Sequence, residues 1–218
     1  MAAGEGRRLR PITQLWPKPI LPIDGRPVIV TLLEQLADAG CPRAWVVVGY
    51  LGEQVIRLVE DNSRIQVEFV RQPGPDGSAD AVRRALEAGA EPPVLVSAAD
   101  TVFRPGDVKR VMSLTEAAVA WRQRPTGVWT LAVVDGRVAR VSDDPSEPRF
   151  AAPLWVLTGE VAAHLEGLTG PPYELRDAFQ RAIDAGTTVT GIEIGPTRDL
   201  TVPADLVREN FLYLGNER

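Results

Sequence analysis

The sequence predicts an α/β protein, a single-domain Rossmann-like three-layer α/β/α fold with a mixed, mainly parallel sheet. Three observations carry this. Short apolar, β-branched runs alternate with segments of helical periodicity through the first half. Residues suited to holding anions or cations fall just after those runs, where open α/β sheets bind their ligands. Asp135-Gly136 between two apolar runs marks a hairpin, so the second half departs from simple alternation.

Taken in order, the chain opens on a polar loop. Residues 28–39 then place Ile29, Leu32, Leu33 and Leu36 at helical spacing, with Gly40 ending the helix. A buried strand over 44–48 leads to a helix over 52–61 with Val55, Ile56 and Val59 on one face, and 66–70 alternates as a strand. The Pro- and Gly-rich turn 72–78 feeds a helix that Ser78 is expected to cap and Gly89 to close. A strand over 93–98 ends in Ala99-Asp100. Further on, 117–121 reads as a strand, 128–134 and 137–141 as the hairpin arms, and 143–148 as a loop. A strand over 154–157 precedes helices over 161–165 and 175–185, then a strand over 189–194 and a last helix over 204–214. No internal repeat, heptad or linker interrupts the chain, so residues 1–218 read as one domain without a C-terminal β-helix. A fold of this kind has a hydrophobic strand before its phosphate loop. Here Met1 stands just ahead of Ala2, Ala3 and Gly4, so that strand is almost absent or lies upstream of Met1.

At 218 residues, with 44% hydrophobic and 24% charged content, the chain can bury one substantial core. Its net charge of −5 argues against a general nucleic-acid surface. A single cysteine, Cys41, fits a reducing cytoplasm, and a single histidine, His164, argues against a His-rich metal site or a His-based triad. No charged-then-apolar leader and no apolar run of membrane length is present, so no membrane partner is expected.

The chemistry concentrates in the opening 25 residues. Gly4 and Gly6 let backbone N–H groups approach a bound anion, and Arg7, Arg8, Arg10 and Lys18 lie beside them. Taken alone, Gly-x-Gly is an ordinary surface turn; with these cations it is a site for a polyphosphate. It is neither a Walker loop nor a Gly-x-Gly-x-x-Gly fingerprint, because no Gly-Lys-Ser/Thr follows and Leu9 stands at the third glycine. Asp100 after one strand and Asp199 after the last one are a pair of carboxylates able to hold Mg²⁺ beside phosphate oxygens. Read singly, Asp100 is equally a helix cap and Asp199 a turn residue. Asp205 reads as the start of the last helix.

Gly-x-Gly-x-Arg-Leu-Arg-Pro at 4–11, followed by Pro-Lys-Pro-x-Leu-Pro at 17–22, resembles the opening signature of the sugar-1-phosphate nucleotidyltransferases. The turn at 72–79 is similar to that family's Gln-x-x-x-x-Gly-Thr/Ser-Ala base-binding segment, and 199–206 to its second metal motif, with Val202 in place of Thr. Tyr173-Glu174-Leu175 resembles the segment whose Glu contacts the sugar, and Gly127 the glycine whose backbone approaches it. The resemblance runs the length of the chain and lies nearest the small thymidylyl- and uridylyltransferases. It implies the nucleotide-diphospho-sugar transferase fold. It further implies Arg8 and Lys18 as catalytic residues, and Ala3, Gly4, Gly6, Arg7, Gln72, Gly77 and Ser78 on the nucleotide. Gly127 and Glu174 would meet the sugar, and Asp100 and Asp199 would hold Mg²⁺.

The implied reaction joins a nucleoside triphosphate and a sugar-1-phosphate. An acceptor phosphate attacks the α-phosphate in line, pyrophosphate leaves, and a nucleotide-sugar results. The nucleophile is already anionic, so no histidine base is needed and catalysis reduces to alignment and charge neutralisation. Gln72 offers a donor and an acceptor to a pyrimidine edge, which favours dTTP or UTP. Two departures stand out. Arg7 replaces the usual Thr or Ser. The family's Glu-Lys-Pro lysine is missing near 141–145, where Arg149 or Arg176 is expected to serve instead. Two other readings are a nucleotide-binding homologue without turnover, and transfer to a non-sugar phosphate. Oligomeric state is not legible.

Overall fold

The computed structural model describes residues 1–123 and 129–211. After a loop of short 3₁₀ turns come β1 (Pro22–Ile23), β2 (Arg26–Pro27), α1 (Val28–Asp38), β3 (Arg43–Val48), α2 (Gly52–Asn62) and β4 (Gln66–Arg71). Then follow α3 (Ser78–Glu87), β5 (Val94–Ser97), β6 (Thr101–Val102), α4 (Asp107–Met112) and β7 (Ala118–Gln123). The second half holds β8 (Thr130–Val134), β9 (Arg137–Ser142), β10 (Arg149–Leu157), α5 (Gly159–Ala162), α6 (Leu175–Asp184), β11 (Thr190–Glu193), β12 (Arg198–Asp199) and α7 (Pro203–Asn210).

β3 and β4 pair in parallel. A larger sheet runs β5-β10-β7-β11-β9-β8. The first residues of the chain lie between these two sheets. Ala2 bridges Val48 in parallel and donates to the Val47 carbonyl at 2.7 Å, while the Ala99 N–H donates to the Met1 carbonyl at 2.9 Å. Met1 and Ala2 thus hold the position of a strand between the two sheets. Following the pairings outward, the strands of the two sheets share one direction except β9 and β10, which are reversed. The mixed sheet expected from the sequence forms: β3 with β4 and β7 with β11 pair in parallel, while β10 with β5 and β7, and β9 with β8 and β11, pair antiparallel.

Period-2 alternation sorts the side chains between two layers. Ala118, Ala120, Leu154 and Val156 face a cluster with Ile29, Leu33, Val55, Val59 and Val111, so α1, α2 and α4 cover one side. Val119, Trp121, Trp155 and Leu157 face Val82, Val161, Ala178 and Phe179, so α3, α5 and α6 cover the other. There Trp155 meets Trp129 and Phe179 edge-on, with ring centroids 5.9 and 4.7 Å apart. A third, smaller cluster joins the two ends of the chain: Leu9, Leu21, Ile23 and Val28 pack with Leu200, and Leu206 lies against them.

Four local expectations are corrected. The strand expected at 154–157 starts at Arg149, because a register shift between Ala151 and Trp155, at Pro153, hides its alternation. Ser78 does not cap α3. Gly77, at φ 101°, occupies that place, and the Ser78 hydroxyl turns instead to the α6 segment. The helix expected at 161–165 is the single turn α5, and the last helix ends at Asn210 among the described residues. The hairpin forms at Asp135 and Gly136, both with positive φ (48° and 77°), which suits its tight connection.

Candidate functional site

The segment at Met1–Ala3 delivers Gly4 and Gly6 just beyond the carboxyl ends of β3 and β5. Gly6 has φ 61°, and a Cβ there would come within 3.0 Å of Thr13. Thr13 is buried, 1% exposed, and donates its hydroxyl to the Gly6 carbonyl at 2.9 Å. Sequence reasoning missed this brace, because a lone Thr in a loop carries no signal. Leu9 anchors the following turn in the third cluster and leaves Arg7 and Arg8 beside a cavity of about 460 Å³.

The cations do not act alike. Arg7 donates Nε to Glu5 at 2.7 Å and Arg10 reaches the same carboxylate at 3.3 Å. The hydrogen bond from Arg7 pulls the Glu5 carboxyl below its usual range. Glu5 thus neutralises part of the expected arginine cluster. Arg8 makes no ion pair among the described residues and lines the cavity. Lys18 crosses the cavity floor to Asp100, Nζ to Oδ2 at 2.5 Å. Burial would raise the Asp100 carboxyl, but the Lys18 charge and hydrogen bond, with one from Thr101, hold it below the usual range. Helix α4 is led by Gly106, so Asp100 is no helix cap.

Gln72 and Gly77 form the opposite wall. Gln72 is 5% exposed, and its amide nitrogen donates to the Gly77 carbonyl and to Asp80 Oδ2, each at 2.9 Å. Both donors are consumed inside the protein. The expectation that Gln72 presents a donor and an acceptor is therefore corrected: Oε1 alone is left for a base. Asp80, absent from the sequence reading, is the hub of this wall. Burial would raise its carboxyl, yet hydrogen bonds from Arg84 at 2.6 Å, Gln72 and Arg83 at 2.6 Å hold it low. A Cβ on Gly77 would lie 2.2 Å from the Tyr173 carbonyl, so only glycine allows this approach. The Ser78 hydroxyl donates to Glu174 at 2.5 Å and accepts from the Leu175 N–H at 2.8 Å, which carries Glu174 to the cavity edge.

Asp199 arrives on a two-residue ribbon that the sequence did not suggest. β12 pairs antiparallel with β6, and Asp199 lies opposite Thr101, next to Asp100. Its carboxylate accepts from the Thr201 hydroxyl at 3.0 Å and lies 3.6 Å from Arg122 at the end of β7. Arg198 fixes the ribbon. Its Nε donates to Glu209 at 2.6 Å and its fork grips Asp24, so its guanidinium is raised above its ordinary value, with the Asp24 hydrogen bond as the largest cause. Asp205 caps α7, accepting from the Thr201 and Val202 N–H groups at 2.6 and 2.9 Å.

The loop, the Gln72 turn, Asp100, Glu174 and Asp199 thus meet at one sheet edge. Gly127 lies outside the described residues. Arg149 and Arg176, expected to replace the missing lysine, sit over Trp121 and Trp129 at 5.2 and 5.8 Å, and Arg176 also pairs with Asp177 at 3.2 Å. Neither lines the cavity. The two carboxylates fit a hard cation by chemistry. Both are oxygen donors on adjacent short strands, and each has drawn a side-chain cation to itself. No cluster of three acidic, His or Cys ligands exists among the described residues, so phosphate oxygens and water would have to complete such a site. Among those residues no helix is long and apolar enough to cross a membrane.

The profile of the MobA-like NTP transferase domain matches residues 1–184. The chain is 28% identical to the UTP–glucose-1-phosphate uridylyltransferase AglF of Haloferax volcanii, over 94% of this chain and 91% of that protein. It is 26% identical to the bifunctional protein GlmU of Methanococcus maripaludis, over 98% of this chain but 53% of that protein. Among solved structures, a UDP-glucose pyrophosphorylase complexed with UDP-glucose superposes with a TM-score of 0.82 at 18% identity. That match covers 99% of this chain and 97% of that one, and it shows a common fold.

Proposed function

The chain belongs to the MobA-like NTP transferase domain family, and on that premise we propose that it couples a nucleoside triphosphate, UTP or dTTP, to a sugar-1-phosphate. It is a nucleotidyltransferase, and the products of the proposed reaction are a nucleotide-sugar and pyrophosphate. The observation that carries this reading is the meeting of Lys18, Asp100 and Asp199 at one sheet edge, from opposite ends of the chain.

Each side chain takes a role its geometry supports. The backbone of Ala3, Gly4 and Gly6 receives the phosphates, with Arg8 neutralising them and Arg7, already held by Glu5, contributing less. Gln72 Oε1 accepts from a pyrimidine ring N–H, and Gly77 and Ser78 shape the base wall. Lys18 exchanges Asp100 for the α-phosphate and neutralises the charge that builds there. Asp100 and Asp199 would hold Mg²⁺, which would supply further charge neutralisation. Glu174, at the cavity edge, contacts the sugar, and the motif resemblance alone gives Gly127 the same role. Arg122 serves as the acceptor-phosphate cation in place of the missing lysine, supported by its 3.6 Å approach to Asp199. The protein acts in the cytoplasm.

The test is pyrophosphate release with Mg²⁺, each of dTTP and the four NTPs, and a panel of sugar-1-phosphates. Turnover with a sugar acceptor that Asp100→Ala abolishes supports the assignment. Tight nucleotide binding without turnover on any acceptor overturns it in favour of a homologue that only binds. Turnover confined to a non-sugar phosphate overturns the acceptor class alone.

A further inference from the structure

The wall behind the nucleotide cavity holds a charged group to which the reaction gives no part. Asp80 sits in the first turn of α3, is 5% exposed and does not line the cavity. Arg83 and Arg84 pair with it from one turn on, as neighbours do along any helix. Two features set Asp80 apart from such a surface pair. It is buried, and its Oδ2 accepts from Nε2 of Gln72, a residue of the cavity wall, at 2.9 Å.

That bond decides which face of the Gln72 amide the cavity meets. Nε2 has two neighbours, the Gly77 carbonyl at 2.9 Å and Asp80 Oδ2. A carbonyl only accepts, and so does an ionised carboxylate. Burial would raise the Asp80 carboxyl, but hydrogen bonds from Arg84, Gln72 and Arg83 hold it below the usual range, so it is ionised near neutral pH. The amide thus has one admissible orientation, because its reverse would set Oε1 against two acceptor oxygens in a buried wall. Arg84 sharpens this dependence. Its Nε donates at 2.6 Å to the same Oδ2 that Gln72 uses, so two donors converge on one oxygen. With the carboxylate removed, the guanidinium would face the amide directly, and Gln72 would gain by turning Oε1 towards it.

We propose that Asp80 is a positioning residue that sets base specificity: by holding the Gln72 amide with Oε1 towards the cavity, it makes the site admit UTP or dTTP and reject CTP. Uracil and thymine carry a hydrogen on ring N3, whereas cytosine carries a lone pair there. An amide that shows its oxygen satisfies the first and opposes the second; one that shows its nitrogen does the reverse. The inference rests on the reading that Gln72 meets the base. Asp80 itself touches no substrate and acts only through Gln72.

The test is the ratio of CTP to UTP dissociation constants, measured by calorimetry with Mg²⁺ and no acceptor present. The unaltered chain should bind UTP roughly thirtyfold more tightly than CTP, the range for leaving a buried polar group opposed. Asp80→Ala should cut that ratio roughly tenfold or more, and the isosteric Asp80→Asn about threefold or more. Should Asp80→Ala fail to fold, the ratio for Asp80→Asn decides. Arg84→Met removes one ion pair of α3 but leaves the Asp80–Gln72 bond, so its ratio should stay within about twofold of the unaltered chain. Gln72→Leu should collapse the ratio. If it does while the Asp80 variants weaken both nucleotides equally, Asp80 is merely structural and the inference is overturned alone. An unchanged ratio in Gln72→Leu overturns the base reading and the inference with it. A preference of the unaltered chain for CTP, or a loss in Arg84→Met as large as in Asp80→Ala, also overturns it.

Discussion

The two sides of the candidate site are built by different means. The nucleotide side rests on backbone geometry: the Gly6 turn braced by Thr13, and the 72–78 turn closed on Gln72 and pressed against Tyr173. The side proposed for the acceptor rests on long side chains that reach across the fold: Arg122 to Asp199, and Arg198 to Asp24 and Glu209. A binding surface made of backbone is encoded locally, by glycines and turn residues at short spacing. One made of ion pairs between distant segments is encoded only in the completed fold.

The sharpest break in this contrast comes at Lys18 and Asp100, where the two sides join. Lys18→Ala and Asp100→Asn should each lower kcat/KM roughly 10²–10³-fold in the pyrophosphate-release assay, the range for losing one preorganised charge contact. A loss under tenfold for both would mean that the junction is structural. Next comes Gly77→Ala, which tests the backbone side. The 2.2 Å approach to Tyr173 should cost roughly 1–3 kcal/mol, read as a lower Tm, and KM for the nucleoside triphosphate should rise about tenfold with KM for the acceptor unchanged. Arg122→Ala is its mirror. KM for the sugar phosphate should rise about tenfold while nucleotide binding, read by calorimetry, stays within a factor of two or so. Equal effects on both substrates would erase the division between the sides.

Acid titration compares the sides through their carboxylates. Asp80 and Asp100 both sit below the ordinary carboxylate range in the folded protein. The stability they contribute is therefore complete above the unfolded value of about 4 and is lost as pH falls through the folded values. Asp80→Asn should flatten the acid limb of a Tm-versus-pH curve below about pH 4 and leave Tm at pH 7 lower. A parallel downward shift at every pH would mean that its ion pairs with Arg83 and Arg84 add no pH dependence. The smallest effect is expected at Arg7→Ala, less than about threefold in turnover, since that side chain is 68% exposed and engaged by Glu5.

The same contrast explains what the sequence reveals. Helix and strand order follows from periodicity, and the nucleotide-side motifs follow from glycine spacing, because both are short-range properties. The β6–β12 ribbon does not, since two residues on each strand give no alternation to detect, and its pairing joins Thr101 to Asp199 across most of the chain. Arg122 falls just after the strand expected at 117–121 and carries no signal in the sequence, and its meaning comes from the Asp199 beside it. Asp80 stands in the first turn of a helix, and nothing in the sequence marks it as buried. It is 5% exposed because the turn before it folds back to put Gln72 on its carboxylate. Arg149 and Arg176 are plausible replacements for a lysine by position, and only their stacking on Trp121 and Trp129 removes them.

The small cluster of Leu9, Leu21, Ile23, Val28 and Leu200 has a mechanical consequence. It clamps the phosphate-binding turn to the segment that carries Asp199, so a shift of one drags the other. Loosening α7, whose Leu206 presses on this clamp, would be transmitted to the nucleotide pocket without any residue of that helix touching the substrate. The far end of the polypeptide is in this sense a tensioner for its beginning.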